Sequence, residues 1–450
     1  MNTFKKLLLF SFFLFMVSNI SFGQNEGLDT NIQLKFDFGN GKVEKGYTQV
    51  TGNIIYSSDV GFGFISKETV VDVNRNGKNA LTSDFCTSKN PFYFVIDLPE
   101  GMYEVKLYMG DVKGKTTTTV KAESRRLMLE KVQTNKGEIR CETISVNVRT
   151  PKINNEGSIK LKSRELNYVN WDNKLTIEFN NERPCINALE ITEKKNLITV
   201  FLAGNSTVVD QEYEPWCSWG QMITSFFKPD VVFANYAESG EALLSFQAER
   251  RFEKIMSLLE PGDYLFIEFG HNDQKPQSSS YVEPFTGYKR ELKKMIRETK
   301  AKGGIPVLVS STQRRKFDEL GNIENTHGDY PAAMKQTAEE ENVAFIDLNA
   351  MSKVLFESLG IENSKKAFVH YPANTYPGQN KEFADNSHFS PYGAYQLAKC
   401  VVMGIKNNNL DLKEYITKSF HDYDPNTPDD FSKWMIPDSP MFELLKPDGY

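Results

Sequence analysis

The second part of the chain, from Ile198 onward, carries the pattern that constrains the fold most strongly. Short apolar segments typical of strands alternate there with longer amphipathic segments typical of helices. The strand-like segments are residues 198–203, 231–235, 264–269, 306–310 and 344–347. The helix-like segments are residues 216–227, 245–259, 288–302, 331–341 and 391–405. This alternation predicts an α/β fold with helices on both faces of a parallel sheet, and a ligand then binds outside the carboxyl ends of the strands.

Residues 31–193 show a different pattern, in which short alternating segments are separated by turn residues and no helical period intervenes. The segments are residues 32–38, 70–73, 92–97, 103–109, 116–120, 144–148, 175–179 and 186–192. Such a pattern predicts an all-β antiparallel sandwich. The opening FDFG and the closing INALEI resemble the terminal strands of galactose-binding-like jelly rolls, a fold common among carbohydrate-binding modules. The resemblance implies sugar binding, and a role as a packing platform stays equally open.

The first residues predict a secretory signal peptide. Lys5 and Lys6 precede an apolar run over residues 7–17, and a less apolar stretch with small residues ends at Gly23. No later stretch approaches 18 uninterrupted apolar residues, so no membrane span is predicted. We therefore expect residues 1–23 to be removed and the protein to be exported to the periplasm or the exterior.

Length and charge define the remaining organisation. The 450 residues divide into the signal peptide, a sandwich domain at 24–195, an α/β domain at 196–420 and an irregular tail at 421–450, rich in Pro and Asp. The formal net charge of -6 makes nucleic acid a poor partner, because such ligands require a basic surface. An acidic polymer would have to be met by a local basic patch.

Candidate functional groups follow three of the predicted strands. Ser206 comes directly after the first strand, where its hydroxyl is exposed and backbone N–H groups converge. Gly240 follows the second strand and lets the backbone approach a ligand closely. Asn272 follows the third strand and can donate two hydrogen bonds without carrying charge.

A fourth segment, DNSH at residues 385–388, combines an acid with one of the five histidines of the chain. A spacing of three residues lets Asp385 fold back onto His388, hold one tautomer of the imidazole and stabilise the imidazolium. The segment therefore predicts a general base with its orienting acid.

The four segments occur in the order that the SGNH, or GDSL-type, hydrolases use, and the resemblance covers residues 199–401. It implies a flavodoxin-like three-layer α/β domain, with Ser206 as nucleophile, Asp385 and His388 as acid and base, and Gly240 and Asn272 completing an oxyanion hole. The phrases FLAGNSTV, FGHND and DNSHFS further resemble those of the rhamnogalacturonan acetylesterases. This chain has Asn205 where the family usually has Asp, which leaves the hydrogen bonding of the first loop open.

These parts describe a serine esterase that needs neither metal nor cofactor. His388 takes the proton of Ser206 as the hydroxyl attacks an ester carbonyl, and backbone and amide N–H groups meet the oxyanion. The expected substrate is an acetylated plant cell-wall polysaccharide such as rhamnogalacturonan or a related pectin. Acetylated xylan, a sialic acid ester or a lipid are alternatives that keep the same machinery.

Two other classes of function stay open at this point. A non-catalytic carbohydrate-binding protein would keep the jelly roll as its working part, although the retained catalytic set argues against it. A metal-dependent phosphoesterase would use His271 and Asp273, but the sequence shows no second cluster of His and Asp to hold two metals.

Several further residues have two interpretations each. His271 either contacts substrate or closes its loop, and Gln379 and Asn380 are either sugar contacts or part of a solvated loop. Trp216 and Trp219, nearly one helical turn apart, are interpreted as core residues in preference to a stacking platform.

Overall fold

The computed structural model describes residues 32–65, 69–155 and 157–447. The predicted signal peptide, residues 1–23, lies outside the described residues, and export stays a prediction. Ile32–Tyr450 forms one compact unit. The boundaries predicted at 195 and 420 lie within this unit and stay predictions.

The N-terminal part is a β-sandwich, as the sequence predicts. Its strands are β1 (Gln33–Phe38), β2 (Thr48–Val50), β3 (Phe62–Phe64), β4 (Val71–Asn74), β5 (Asp84–Thr87), β6 (Phe92–Asp97), β7 (Gly101–Gly110), β8 (Thr116–Ala122), β9 (Arg126–Thr134), β10 (Ile139–Val148), β11 (Lys174–Asn180), β12 (Cys185–Ile186) and β13 (Ala188–Glu193), with one helical turn, α1 (Ala80–Ser83). In the described residues one sheet has the order β10-β7-β13-β1-β2, the other β3-β6-β11-β8-β9, and a small sheet joins β12-β5-β4.

Aromatic side chains fill the space between the two large sheets. Phe38 from β1 and Phe64 and Phe94 from the facing sheet are fully buried. The Phe38 and Phe94 rings meet edge to face, with centroids 4.9 Å apart. Aromatic pairs favour this arrangement because the positive edge of one ring faces the negative face of the other. The alternating apolar residues of the sequence therefore become the core of the sandwich.

The sequence missed strands β2, β3, β5 and β9 and joined β12 to β13. Strands β2 and β3 have three residues each, and charged residues interrupt the pattern of β9. Asn187 separates β12 from β13, where its Nδ2 donates to the carbonyl of Asp84. Strand β3 pairs with β6, and β12 pairs with β5, about 30 and 100 residues away in the chain, and local periodicity does not show such pairing.

The C-terminal part is the predicted three-layer α/β fold. Its parallel strands are β14 (Ile198–Gly204), β15 (Val231–Asn235), β16 (Tyr264–Glu268), β17 (Ile305–Val309) and β18 (Ala344–Ile346). The order β15-β14-β16-β17-β18 is the 2-1-3-4-5 order of flavodoxin-like folds. Separate apolar clusters cover the two faces of this sheet. The carboxyl ends of β14, β15 and β16 thus lie side by side at one edge.

The helices of this part differ from the prediction in three places. They are α2 (Trp219–Met222), α3 (Leu243–Ala248), α4 (Arg251–Leu258), α5 (Lys289–Ala301), α6 (Tyr330–Glu341), α7 (Leu348–Asn363) and α8 (Pro391–Asn407). The helix predicted at 216–227 is reduced to α2 and the 3-10 turn Ile223–Phe226. Arg250, with φ of 65° in the left-handed region, divides the helix predicted at 245–259. The sequence missed α7, which begins after Asp347 and breaks at Gly360.

An antiparallel hairpin stands outside the main sheet. It pairs β19 (Phe368–Tyr371) with β20 (Phe383–Phe389), and β20 leads directly into α8. Asp385 and His388 therefore lie on a strand that the sequence did not predict. The described part of the tail, residues 421–447, contains no helix or strand and packs against α8, with the Trp434 ring 5.6 Å from that of Tyr392. No helix within the described ranges is both long and apolar enough to cross a membrane.

Candidate active site

The structure brings Ser206, His388 and Asp385 into one hydrogen-bonded row. Ser206 follows β14, and the other two residues lie on β20. The Oγ atom of Ser206 lies 3.1 Å from Nε2 of His388, and Nδ1 of His388 lies 2.8 Å from Oδ2 of Asp385. The three side chains are largely buried, with His388 only 2% exposed. This is the contact geometry of a nucleophile, a base and an orienting acid, the roles that the sequence predicts for them.

Asp385 is held in its ionised form by its surroundings. Its Oδ1 accepts the backbone N–H groups of Ser387 and His388 at 2.8 and 3.0 Å. Burial raises the pKa of Asp385, but the hydrogen bonds and charge of His388 and the charge of Lys446 outweigh it, so the pKa lies below its usual range. An ionised Asp385 favours the tautomer with hydrogen on Nδ1, which leaves Nε2 to accept the proton of Ser206.

The turn around Ser206 is built by its neighbours Asn205 and Thr207. Asn205 Oδ1 accepts from the N–H and hydroxyl of Thr207 at 3.1 and 2.9 Å. Thr207 Oγ1 also lies 2.7 Å from Glu268, whose pKa is raised to about 7 by burial. The amide oxygen of Asn205 accepts hydrogen bonds as a carboxylate would, while its Nδ2 is buried without a partner among the described residues. The substitution of Asn for the usual Asp therefore preserves the bonds that shape the turn.

The loop of Gly240 lies beside the Ser206 turn. The N–H of Glu238 donates to the carbonyl of Gly204 at 3.2 Å, and Gly240 has φ of 86°, in the region that favours glycine. Lys162 Nζ and Arg164 Nη2 both donate to the carbonyl of Ser239, at 2.6 and 2.7 Å. These two cations, from the segment between β10 and β11, hold the loop from outside. The sequence analysis missed them because their positions carry no recognisable pattern.

Asn272 is buried at the end of the third strand and directed at the same edge. Its Nδ2 donates to the carbonyl of Glu241 at 2.9 Å, which joins its loop to that of Gly240. An amide nitrogen carries two hydrogens, so one stays available for a ligand. The structure thus assembles the loops predicted to form an oxyanion hole, and the roles of Gly240 and Asn272 stay predictions.

Asp273, the residue of the metal-dependent alternative, closes this loop instead. Its two carboxylate oxygens accept the backbone N–H groups of Leu243 and Gly270, each at 2.8 Å. Burial raises its pKa to about 7. In the part of the chain that the structure describes, no cluster of three or more His, Cys, Asp and Glu residues is arranged to hold a metal ion.

His271 packs inside the loop with a second histidine that the sequence analysis missed. Its Nε2 lies 3.3 Å from Thr312 Oγ1, and its ring centroid lies 4.4 Å from that of His327. Nε2 of His327 lies 2.8 Å from the carbonyl oxygen of Thr312. Burial and neighbouring positive charge hold the pKa of His271 well below its usual range and lower that of His327 to about 3. This environment favours the loop-closing interpretation of His271.

The two predicted sugar contacts in the loop before β20 have different environments. The Gln379 side chain is buried, and its Nε2 donates to the carbonyls of Pro372 and Lys381 at 3.0 and 2.9 Å. The loop itself thus uses the amide of Gln379, which corrects the view of this side chain as exposed to a ligand. Asn380 is exposed and stays a predicted contact.

Neither tryptophan of the first helical segment offers an exposed stacking surface. Trp219 is fully buried and its Nε1 donates to Glu268. Trp216 is 4% exposed, and its ring stands edge-on to His388 with centroids 5.8 Å apart. Both rings are core residues, and Trp216 also forms a wall of the site.

The buried histidines predict a specific pH dependence of stability. Because the pKa of His327 falls from 6.5 to about 3 on folding, the unfolded chain binds more protons between these values. The free energy of unfolding should therefore decrease as pH falls from 6.5, by up to about 1.4 kcal/mol per pH unit for this residue. In urea titrations from pH 7 to pH 4.5, His327→Gln should reduce that slope. His421→Gln, which replaces an exposed histidine, should keep the wild-type slope, and an unchanged slope in His327→Gln would contradict the assignment.

Comparisons with known proteins agree with this geometry. Residues 34–140 match the family described as β-agarase/YXIM esterase-like, galactose-binding domain-like, and residues 202–393 match the GDSL-like lipase/acylhydrolase family. The chain is 43% identical over 224 residues to the rhamnogalacturonan acetylesterase RhgT of Bacillus subtilis. The aligned region covers 49% of this chain and 95% of RhgT.

A second relative matches more of the chain. The uncharacterized esterase YxiM of Bacillus subtilis is 28% identical over 388 residues, covering 84% of this chain and 91% of that protein. The crystal structure of the YxiM protein has a TM-score of 0.44 at 25% identity and covers 84% of this chain and 99% of that one. The family matches and the identity to RhgT confirm the SGNH resemblance of the sequence: the chain is an esterase that belongs to the GDSL-like lipase/acylhydrolase family, with a galactose-binding-like β-sandwich before its α/β domain.

Proposed function

We propose that the protein is an exported serine carbohydrate esterase that removes O-acetyl groups from rhamnogalacturonan or a related pectin. The observation that carries the proposal is the row from Ser206 Oγ through His388 to Asp385, with donor–acceptor distances of 3.1 and 2.8 Å. Acetyl transfer to a hydroxyl needs a base within hydrogen-bond reach and an acid that stabilises the resulting imidazolium. The row supplies both.

The chemistry proceeds in two steps. His388 Nε2 takes the Ser206 proton as Oγ attacks the acetyl carbonyl, and Asp385 stabilises the imidazolium. The N–H groups of Ser206 and Gly240 and the Asn272 amide stabilise the oxyanion. The imidazolium then gives its proton to the sugar oxygen as the bond from that oxygen to the acetyl carbon breaks, and the sugar leaves with a free hydroxyl. Water, activated by His388, hydrolyses the acetyl-enzyme along the reverse path. No step calls for a metal or a cofactor.

A basic rim at the site favours an acidic polysaccharide. It consists of Lys275, Arg314 and Lys446. Lys446 Nζ lies 3.3 Å from Oδ2 of Asp385, and Arg314 Nη2 lies 3.3 Å from the carbonyl of His271. Lys275 belongs to the Asn272 loop, and burial and the charges of Arg314 and Lys446 lower its pKa. Although the net charge of the chain is -6, three cationic side chains lie together at this edge. The carboxylates of a pectin chain would pair with them.

The identity of the relatives points the same way. RhgT, which shares 43% of the aligned residues, bears the name of a rhamnogalacturonan acetylesterase. We extend that substrate class to this chain as part of the proposal. Secretion, expected from residues 1–23, would place the enzyme where cell-wall polymers occur.

Replacement of the nucleophile tests the site directly. Ser206→Ala should lower hydrolysis of 4-nitrophenyl acetate by several orders of magnitude, because it removes the hydroxyl that lies 3.1 Å from His388 Nε2. Its thermal unfolding should resemble that of the wild type. Ser225→Ala, which removes a serine on the 3-10 turn after α2, should keep full activity. Near wild-type turnover by Ser206→Ala would reject the assignment.

Removal of the amide donor tests the oxyanion hole. Asn272→Ala should lower kcat by roughly 10² to 10³, because one such donor contributes about 2.7–4 kcal/mol to transition-state stabilisation. KM should change little, since the oxyanion develops only after binding. A fall in kcat/KM that comes entirely from KM would instead make Asn272 a substrate-binding residue.

Matched substrates test the preference for an acidic glycan. Acetate release should be faster from acetylated pectic oligosaccharides than from the same oligosaccharides with methyl-esterified carboxylates, and faster than from acetylxylan. Lys275→Met, which leaves the contact of Lys446 with Asp385 in place, should raise KM for the acidic substrate and leave 4-nitrophenyl acetate unaffected. Equal rates on acidic, esterified and xylan substrates would favour the alternative of a different acetylated glycan.

A further inference from the structure

The segment that follows the nucleophile has no regular secondary structure of its own. Residues 207–218 connect the Ser206 turn to α2 without a helix or strand, yet all of them except Tyr213 are buried. Backbone N–H and C=O groups that are buried away from water need partners. The segment supplies some of these partners itself, as Ser218 Oγ does for the carbonyl of Val209, and the others come from elsewhere in the fold.

A loop of the β-sandwich supplies donors for two of the backbone carbonyl groups. Residues 123–125 connect β8 to β9, and together with Arg126, the first residue of β9, they are called the sandwich loop below. Glu123 and Arg125 adopt φ of 54° and 62°, the left-handed region that costs energy for residues with a side chain. The strained turn points Arg125 away from solvent and into the α/β part, where the side chain is only 6% exposed.

Arg125 binds three residues of the irregular segment. Its Nη1 donates to the carbonyls of Gln211 and Trp216, at 3.2 and 2.9 Å, and its Nη2 pairs with the carboxylate of Glu214. The planar guanidinium suits this task, because it presents several N–H groups in fixed directions. Its partners are therefore fixed relative to one another.

Two of these partners contact the proposed catalytic residues. Gln211 Nε2 donates to the carbonyl of Ser206 at 3.0 Å. The ring of Trp216 stands edge-on to His388, with centroids 5.8 Å apart and an interplanar angle of 85°. Arg125 thus holds the backbone of Gln211, which is bonded to Ser206. It also holds the backbone of Trp216, whose ring packs against His388.

The rest of the sandwich loop supports the same segment. Gln221 Nε2 donates to the carbonyls of Ser124 and Gln211, at 2.6 and 2.8 Å. Arg126 Nε lies 3.1 Å from the carboxylate of Asp210. The contacts come from one turn of the sandwich and converge on the segment between Ser206 and α2.

We propose that Arg125 is a positioning residue of the esterase site, through which the β-sandwich sets the relative placement of Ser206 and His388. The sandwich is then part of the catalytic architecture, whatever sugar it binds. The inference rests on the roles proposed for Ser206 and His388. A small aryl acetate tests it without reference to the polysaccharide.

The experiment compares Arg125→Met and Arg125→Lys with a matched control, Lys254→Met, in the full chain. Lys254 is another buried cation between the two parts: its Nζ lies 2.7 Å from Glu100 and donates to the carbonyl of Lys152, but it does not touch residues 206–218. Rates on 4-nitrophenyl acetate are normalised to active sites titrated with a serine-directed phosphonate. The measured quantities are kcat, KM and the thermal unfolding midpoint.

Arg125→Met should lower kcat by about 10- to 100-fold with KM within about threefold, because small displacements of reacting groups cost this much in rate. Arg125→Lys should recover part of kcat, since an ammonium keeps the charge beside Glu214 but lacks the planar fork. Lys254→Met should lower only the unfolding midpoint.

Wild-type kcat in Arg125→Met, with a lower unfolding midpoint alone, would overturn the proposal and make Arg125 purely structural. If Arg125→Met does not fold, Arg125→Lys decides, and a wild-type kcat there overturns it equally. The activity of Ser206→Ala is measured separately and tests only the assignment of the nucleophile. A failure of the proposed nucleophile is therefore distinguishable from a failure of this inference.

Discussion

The hydrogen bond between Ser206 and His388 is the contact on which the site depends, and the main sheet alone does not make it. Ser206 follows a central strand of that sheet, whereas His388 lies on a hairpin outside it. The hairpin is attached through the N–H of Cys217, which donates to the carbonyl of Phe389 at 3.0 Å. Both partners are thus attached to the irregular segment at 207–218, so the distance between them is only as fixed as that segment.

Buried carboxyl groups stabilise the loops around this contact. Burial raises the pKa of Glu268 and Asp273 to about 7, and burial and the charge of Glu165 raise the pKa of Glu238 in the same direction. Glu268 accepts hydrogen bonds from Thr207 and Trp219, and Asp273 accepts them from Leu243 and Gly270. Glu238 accepts from Arg164. Each carboxyl group therefore connects separate segments around the site. Such networks are costly when partly satisfied and rigid when complete. The arrangement therefore favours one closed geometry of the site over a range of looser ones.

The sequence could predict those features that local patterns encode. The parallel strands are continuous apolar runs, and their shared orientation places Ser206, Gly240 and Asn272 at one edge before any coordinates are known. Strand β20 was missed because FADNSHF lacks an apolar alternation, and its pairing with β19 is non-local. Arg125 and His327 were missed for a related reason. A charged or polar residue in a turn or loop usually indicates a solvated surface, and only the tertiary fold shows that such a side chain is buried with partners.

The C-terminal tail, although irregular, places a cationic side chain beside the active site. Ser439 donates its N–H to Glu214 at 2.9 Å, and the carbonyl of Glu443 accepts from Trp216 Nε1 at 3.2 Å. These bonds fix the path of the chain toward Lys446, which then lies beside Asp385. The cations of the basic rim come from the loops after β16 and β17 and from this tail, so they meet only in the folded chain. A net charge of -6 is therefore compatible with a positive edge at the site, because the field there depends on placement and not on the total.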